Sequence, residues 1–427
     1  MQVLPYLAFL LVLLVIRVPV IISTGIITAF YILFETDLQL GYIAVVVFQS
    51  LDKFTLLAIP LFILAGSFMS SGGIAKHLIN LADEIVGDFP GGLALTTIMS
   101  CFFIADLTGS GPATVAAVGS ITIPAMIERG YGPGFACAVA ACAGTLGVII
   151  PPSNPMIIYG VSGDVSIGQL FLAGFIPGTL LTISMMVPVY IISRIRGYKG
   201  KDKKGSLRDI GIAAWKAKWA ILVPVIVLGG IYSGIFTPTE SAAVACVYAF
   251  IIGLFVYRDF KFSDMPQIIG RTLVLTGAII PIIAFATAFG QVITLDQVPV
   301  SLANMVSQNI DSLWKLLLIL NLFLIFVGCF MEALAGIVLL TPLLLPMVET
   351  YGMNPVHFGI MMIVNLAIGF MSPPLGLNLF VAQSIAKAKI TDIFASSIPI
   401  LVSMLVALAL ITFVPWFTMV LPNLFYN

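Results

Sequence analysis

Charge is what this 427-residue chain has little of. Asp, Glu, Lys and Arg make up 9% of it, hydrophobic residues make up 60%, and mean hydropathy is +1.15. A water-soluble domain carries roughly a quarter charged residues, so an ordinary soluble fold is excluded. Whole stretches, among them 316–331 and 337–348, hold no charge at all. Histidine is nearly missing: His77 and His357 are the only two, which excludes a multi-histidine metal site. The five cysteines (Cys101, Cys137, Cys142, Cys246, Cys329) sit in apolar segments without metal-ligand spacing, so they read as buried free thiols. There is no G-x-x-x-x-G-K-[ST] stretch, which excludes ATP hydrolysis by a P-loop. The opening apolar run leads into more apolar sequence rather than to a cleavage site and a soluble domain. An open chain in lipid must satisfy its backbone within helices, and the expected class is an all-α polytopic membrane protein.

What the chain does have, it has twice. Pro124, Pro133 and Pro151-Pro152 recur as Pro346, Pro355 and Pro373-Pro374, each displaced by 222 positions, and Gly147 and Gly369 keep the same offset. Each copy puts a helix-breaking Pro-Pro inside a run that would otherwise span a bilayer. A basic stretch separates the copies: nine of the 19 Lys and Arg lie in 194–218. Such a run fits a cytoplasmic loop obeying the positive-inside bias better than a nucleic-acid patch.

The first half reads as apolar spans near 3–16, 19–35 and 54–70 and an amphipathic piece near 74–88. The second reads as spans near 213–235, 239–257 and 272–295 and an amphipathic piece near 299–312. Each then enters a dense block. Residues 91–127 and 314–347 read as re-entrant helical hairpins, with tips at Thr108–Pro112 and at Ala333–Gly336, because limbs of about 12–17 residues are marginal for a ~30 Å core. Discontinuous helices follow at 133–163 and 355–388, and final spans near 168–194 and 392–415. With 194–218 inside, Arg17, Lys76, Arg129, Arg258, Lys261, Arg271, Lys387 and Lys389 also fall inside if the repeats are inverted. Only Lys53 and Lys315 then fall outside, giving 17 against 2 and both termini outside. Inverted repeats with broken helices point to a secondary transporter whose site lies at the breaks.

The candidate residues follow from that geometry. Prolines at 151, 152 and 155 cannot donate the bonds that continue a helix, so carbonyls around Gly147–Pro151 face whatever occupies the break. The C-terminal end of a half-helix favours a cation, here sodium, and the next N-terminus favours an anion. Sodium is thus expected at Ser100, Asp106, Gly144, Gly147 and Pro151 in the first repeat. Gly328, Glu332, Gly369, Met371 and Ser372 are expected in the second. Asp106 and Glu332, at membrane depth, are functional candidates by default; coordination, holding the tip amides and a proton relay all fit. The substrate-side candidates are Ser110, Thr114, Ser153, Asn154, Gly376 and Asn378, with tip capping as the other role open to Ser110 and Thr114. No arginine lies among these, so an acid would be met by backbone dipoles, hydroxyls, amides or sodium. Thr239 is expected to cap a helix starting in Phe236–Ser241, with Glu240 near its positive end. Asp52-Lys53 is expected to anchor the span at 54–70.

At these motifs the sequence resembles the large (M-type) membrane subunit of tripartite ATP-independent periplasmic (TRAP) transporters, including the sialic acid branch. The likeness rests on residues 54–66 (FTLLAIPLFILAG), 109–117 (GSGPATVAA), 150–160 (IPPSNPMIIYG) and 234–240 (GIFTPTE), spread over both repeats. It implies sodium-coupled import of an organic acid anion, of the sialic acid or C4-dicarboxylate class, across a bacterial inner membrane. It implies no cofactor beyond Na+ as coupling ion. It implies two partners: a periplasmic substrate-binding protein (P-type) and a small four-helix membrane subunit (Q-type), unfused here. It also implies an elevator motion of 51–195 and 258–427 against a scaffold of 1–50 and 213–257, with 196–212 as the basic connection. The alternatives are a stand-alone sodium/carboxylate symporter and an ion channel. A channel predicts a continuous polar stripe, whereas the polar groups here cluster at the two breaks and tips. An intramembrane enzyme would need a nucleophile–base pair or metal ligands at depth, and the sequence offers neither.

Overall fold

The computed structural model describes residues 3–426 except 17, 71–73, 202–204, 259, 311 and 374–375. Arg17, Lys203, Lys204 and Pro374, used above, lie outside the described residues, as does the side chain of Asp106. Every regular element among the described residues is helical. The first half comprises α1 (Val3–Val15), α2 (Val20–Glu35), α3 (Gly41–Leu51), α4 (Ala58–Ser70), α5 (Ile74–Val86), α6 (Gly92–Thr108), α7 (Gly111–Glu128), α8 (Pro133–Gly144), α9 (Asn154–Gly163) and α10 (Ile167–Arg196). The second comprises α11 (Leu207–Tyr232), α12 (Pro238–Ile251), α13 (Met265–Leu295), α14 (Val298–Asn309), α15 (Leu313–Phe330), α16 (Ala333–Thr350), α17 (Pro355–Gly369), α18 (Leu377–Ala386), α19 (Ile390–Phe413) and α20 (Trp416–Tyr426). Among the described residues, seven helical segments are long and apolar enough to cross a membrane, or eight if α3 and α4 form one bent span.

Two helices are buried on every side. In α8 every residue from Phe135 to Gly144 is buried, and in α17 every residue from Val356 to Gly369. A helix that is apolar all round belongs at a centre, and the Ala, Gly and Cys of α8 let neighbours approach closely. The periphery is the reverse: Phe34, Trp215, Leu273 and Val274 are among many exposed large apolar side chains. Such a surface matches a lipid environment.

The hairpins and half-helices interlock across the halves. The second limb of the first hairpin, α7, packs on α18, and the second limb of the other, α16, packs on α9. The hairpins themselves differ. The limbs α6 and α7 lie against one another, whereas α15 and α16 diverge, α15 onto α17 and α16 onto α9, α13 and α14. Each limb of the second pair has 18 residues, about 27 Å of helix, longer than the sequence reading gave it.

Other expectations are corrected in detail. Ala333–Gly336 is not a tip but the first turn of α16, since Ala and Leu are strong helix formers; the chain turns at Met331 and Glu332, both extended. Within the discontinuous helix expected at 133–163, the first half stops as α-helix at Gly144 and continues as a 3-10 turn over Thr145–Val148. The separate helix α3 precedes a 63° bend at Asp52-Lys53, where α13 runs straight through the corresponding place. The helix α4 packs along α12 and α13. Beyond the last expected span, Pro415 ends the run and α20 folds back onto α10 and α17. The cap of α12 is Thr237, not Thr239: Thr237 Oγ1 accepts from the Glu240 amide at 3.3 Å, and Glu240 Oε2 accepts from the Thr237 amide at 2.8 Å. Pro238 at the first helical position leaves Thr237 as the residue with extended backbone.

The basic connection is a strap. Lys201 Nζ reaches Asp83 at 2.7 Å and Glu84 at 2.9 Å, and its amide donates to the Gly87 carbonyl. Tyr198 stacks on Tyr131 at 4.1 Å, and its carbonyl accepts from the Gly91 amide. The strap therefore ties α5, α6 and the entry to α8 together before α11 begins.

Candidate substrate and cation site

The first hairpin tip is wedged into the first break. Gly109 ends α6 in the left-handed region (φ 56°), and Ser110 is extended (φ −148°) before α7. The left-handed turn at a helix end suits glycine, and space requires it as well: an added methyl at Gly109 would lie 2.6 Å from Asn154 Nδ2. Thr114 Oγ1 donates to the Ser110 carbonyl at 2.8 Å and lies 2.5 Å from Thr108 Oγ1. At Gly147 an added methyl would lie 2.1 Å from Thr114 Oγ1 and 2.8 Å from the Ser110 carbonyl. The tip and the 3-10 turn are thus in backbone contact, and the glycine is what permits it.

The break is closed by side chains on its own chain. Ser153 Oγ donates to the Val148 carbonyl at 2.6 Å, and Thr145 Oγ1 to the Cys142 carbonyl at 2.7 Å. The Pro151–Pro152 peptide is cis, and both prolines are buried. From Ser153, extended and fully buried, α9 starts at Asn154 as the Pro-Pro reading expects.

One residue of the second repeat enters this cluster. Asn378, in the first turn of α18, is fully buried; its Nδ2 donates to the Ala141 carbonyl of α8 at 3.0 Å. Its Oδ1 has no partner among the described residues. An added methyl at Gly111 would lie 3.0 Å from that oxygen, and one at Gly144 would lie 3.3 Å from Asn378 Nδ2 and 3.1 Å from the Gly111 carbonyl. Ser110, Thr114, Gly144, Gly147, Ser153, Asn154 and Asn378 therefore share one site. An unpaired buried amide oxygen costs about 1–3 kcal/mol, so this one marks a place for a donor or a cation. Ser100, in α6, is also fully buried, and its Oγ has no partner among the described residues.

The second-repeat candidates form a different arrangement. Gly328 and Gly369 meet backbone to backbone: an added methyl at Gly369 would lie 2.5 Å from the Gly328 Cα and carbonyl carbon. Cys329 Sγ donates to the Ile325 carbonyl at 3.2 Å, and the Ser372 amide donates to the Gly369 carbonyl at 2.9 Å. Met371 is buried. Glu332 is at the N-cap position of α16, exposed, and its side chain does not cap the helix. Gly376 takes the left-handed conformation (φ 49°) that starts α18.

Sequence reasoning missed Thr145 and gave Thr108, placed in the tip, no role in the first cluster. It also missed a buried amide chain in the second repeat: Asn365 Nδ2 donates to Asn321 Oδ1 at 2.8 Å, and Thr412 Oγ1 donates to the same oxygen at 3.1 Å. Polar residues inside charge-free runs were the available signal.

A family model described as "Tripartite ATP-independent periplasmic transporter, DctM component" matches residues 7–417. The chain belongs to this family. It is a multi-pass membrane permease, not an enzyme. The isethionate TRAP transporter permease protein DctMQ of Oleidesulfovibrio alaskensis is 48% identical over 94% of this chain, which spans 63% of that relative's length. The C4-dicarboxylate TRAP transporter large permease protein DctM of Pseudomonas aeruginosa is 42% identical, covering 94% of both chains. The sialic acid large permease protein SiaM of Vibrio cholerae is 37% identical, covering 92% of both. Among solved structures, the Alcanivorax borkumensis YdaH transporter, described as having an unusual topology, matches with a TM-score of 0.61 at 16% identity over 88% of both chains. That likeness concerns the fold.

Proposed function

We propose that this permease imports a small organic acid anion, driven by sodium, after delivery by a periplasmic binding protein and in complex with a small membrane subunit. The observation that carries the reading is the cluster of hairpin tip, broken helix and Asn378. It joins both repeats, brings half-helix ends to one buried place and holds an amide oxygen without a partner among the described residues. The α8 end and the 3-10 turn would meet sodium, with Ser100 and Asp106 beside them. The α7 and α9 starts, with Ser110, Thr114, Ser153, Asn154 and Asn378, would meet the acid. A second sodium would sit at the Gly328–Gly369 contact with Glu332, Met371 and Ser372.

The repeats are inverted in this reading, both termini are outside, and the two hairpin blocks move as one against the remaining helices. The lopsided distribution of Lys and Arg supports the inversion, as does the exchange of α7 and α16 between repeats. Each sodium crossing 100 mV contributes about 2.3 kcal/mol, so two accumulate a monoanion even before their own gradient counts. Among relatives, those named for isethionate and C4-dicarboxylates are more similar than those named for sialic acid, so small acids are tested first.

The test is thermal melting of the purified membrane complex with sodium and with isethionate, succinate or sialic acid. Ligand-linked stabilisation is expected only when sodium and one of the acids are both present. Asn378→Leu is expected to shrink that shift. No shift with any acid, or equal shifts in potassium, would overturn the reading.

A further inference from the structure

Lys53 stands at the elbow between α3 and α4. It lines an open cavity of about 330 Å³ together with residues of α3, α9, α13 and α16. The other polar groups of that cavity are neutral: Tyr42, Ser162, Thr287, Gln291 and Thr294. The Ser162 hydroxyl oxygen is buried without a partner among the described residues. No carboxylate lines the cavity, and Lys53 makes no ion pair among the described residues. The acid nearest in kind, Asp164, lines an adjoining cavity of about 520 Å³ that Lys53 also borders. An ammonium among neutral hydroxyl and amide groups, with Asp164 on the adjoining cavity rather than on this one, is a chemistry for a small anion. Its volume lies at the small end of ligand pockets.

The walls are also notable for which elements they come from. α9 begins at the Asn154 site and ends in this cavity, through Val161 and Ser162. α16 approaches α13 so closely at Gly290 that an added methyl would lie 3.0 Å from Pro342. The cavity thus sits at the far end of α9 from the tip cluster, one half-helix away.

We propose that this cavity is an entry subsite, separate from the tip cluster, which holds the organic anion on Lys53 before it reaches the broken helices. The inference rests on the proposed import function and adds a residue and a place to it. Its probe is whichever of isethionate, succinate or sialic acid the wild-type complex takes up in liposomes. Leu295, apolar, 58% exposed and lining the cavity, is replaced by cysteine. The five native cysteines are buried and give little background.

Maleimide labelling of Leu295→Cys in the purified complex, without binding protein, is expected to slow as the acid is added at fixed ionic strength. In Leu295→Cys/Lys53→Gln the half-protecting concentration is expected to rise about tenfold or more, as when a charge-assisted hydrogen bond is lost. Lys53→Arg is expected to keep protection. Uptake by wild type with unchanged labelling would overturn the subsite while leaving import standing. Protection by binding protein alone would also overturn it, making Lys53 a protein-docking contact. Equal protection by chloride would reduce it to nonspecific screening and likewise sink it. Absence of uptake for all three acids would bring down the import reading first, and the subsite with it.

Discussion

The two hairpins share a sequence plan and are built differently. The first closes on glycine and hydroxyls: Gly109 turns the chain, its limbs pack together, and Thr114 and Ser110 lie against Gly147. The second turns on extended residues, its limbs part, and it is pinned by Gly328 lying flat on Gly369. One junction can adjust through a rotatable side chain. The other has only main chain on both faces. The comparison teaches that a repeated pattern fixes where a break falls but not how stiffly it is held. The first junction can yield where a side chain rotates, and the second can yield only by moving main chain.

The largest effect is expected from Gly369→Ala. Its methyl would meet Gly328 main-chain atoms at 2.5 Å, and overpacking of this kind costs about 1–3 kcal/mol or more where nothing yields. Melting of the purified complex should fall sharply, with folded yield. Gly147→Ala is expected to cost less, because Thr114 Oγ1, the nearest atom at 2.1 Å, belongs to a side chain. Adding Thr114→Ala should recover part of the loss, leaving the Ser110 carbonyl at 2.8 Å as the remaining obstacle. Equal losses for the two glycines, with no recovery, would erase the distinction between the junctions.

The smallest effect is expected at the strap, which is tied to the first repeat alone. Partial burial pulls the Lys201 ammonium down, but Asp83 and Glu84 outweigh it and hold the pKa above the ordinary 10.5. The clasp therefore contributes fully below that ordinary value and is lost as pH rises through the raised one. Because the side chains are about a quarter exposed, the contribution is at most about 1 kcal/mol. Lys201→Met should lower the melting temperature slightly at neutral pH, with the gap to wild type closing in strong alkali. A gap that widened with alkali would have the wrong sign.

Much of this architecture was legible because its punctuation is chemical. Pro151-Pro152 and Gly109-Ser110-Gly111-Pro112 name a break and a tip outright, and both fall where the sequence puts them. The second tip was misplaced because Ala333-Leu334-Ala335-Gly336 looks loose but is helix-compatible, while the actual turn, Met331-Glu332, carries no turn residue. The cap at Thr237 was there to be read: Thr237-Pro238-Thr239-Glu240 has the S/T-x-x-E spacing. The meeting of Asn378 with Ala141, 237 positions apart, was not readable at all. It depends on how two separately encoded halves exchange limbs, and no local propensity reports that.

The central claim is that each repeat supplies one cation position and both supply the acid's site. The most direct test is sodium titration of acid uptake in liposomes holding the wild-type complex and its binding protein. The account predicts uptake that vanishes without sodium and rises with a Hill slope approaching two. A slope of one, or uptake indifferent to sodium, would contradict it.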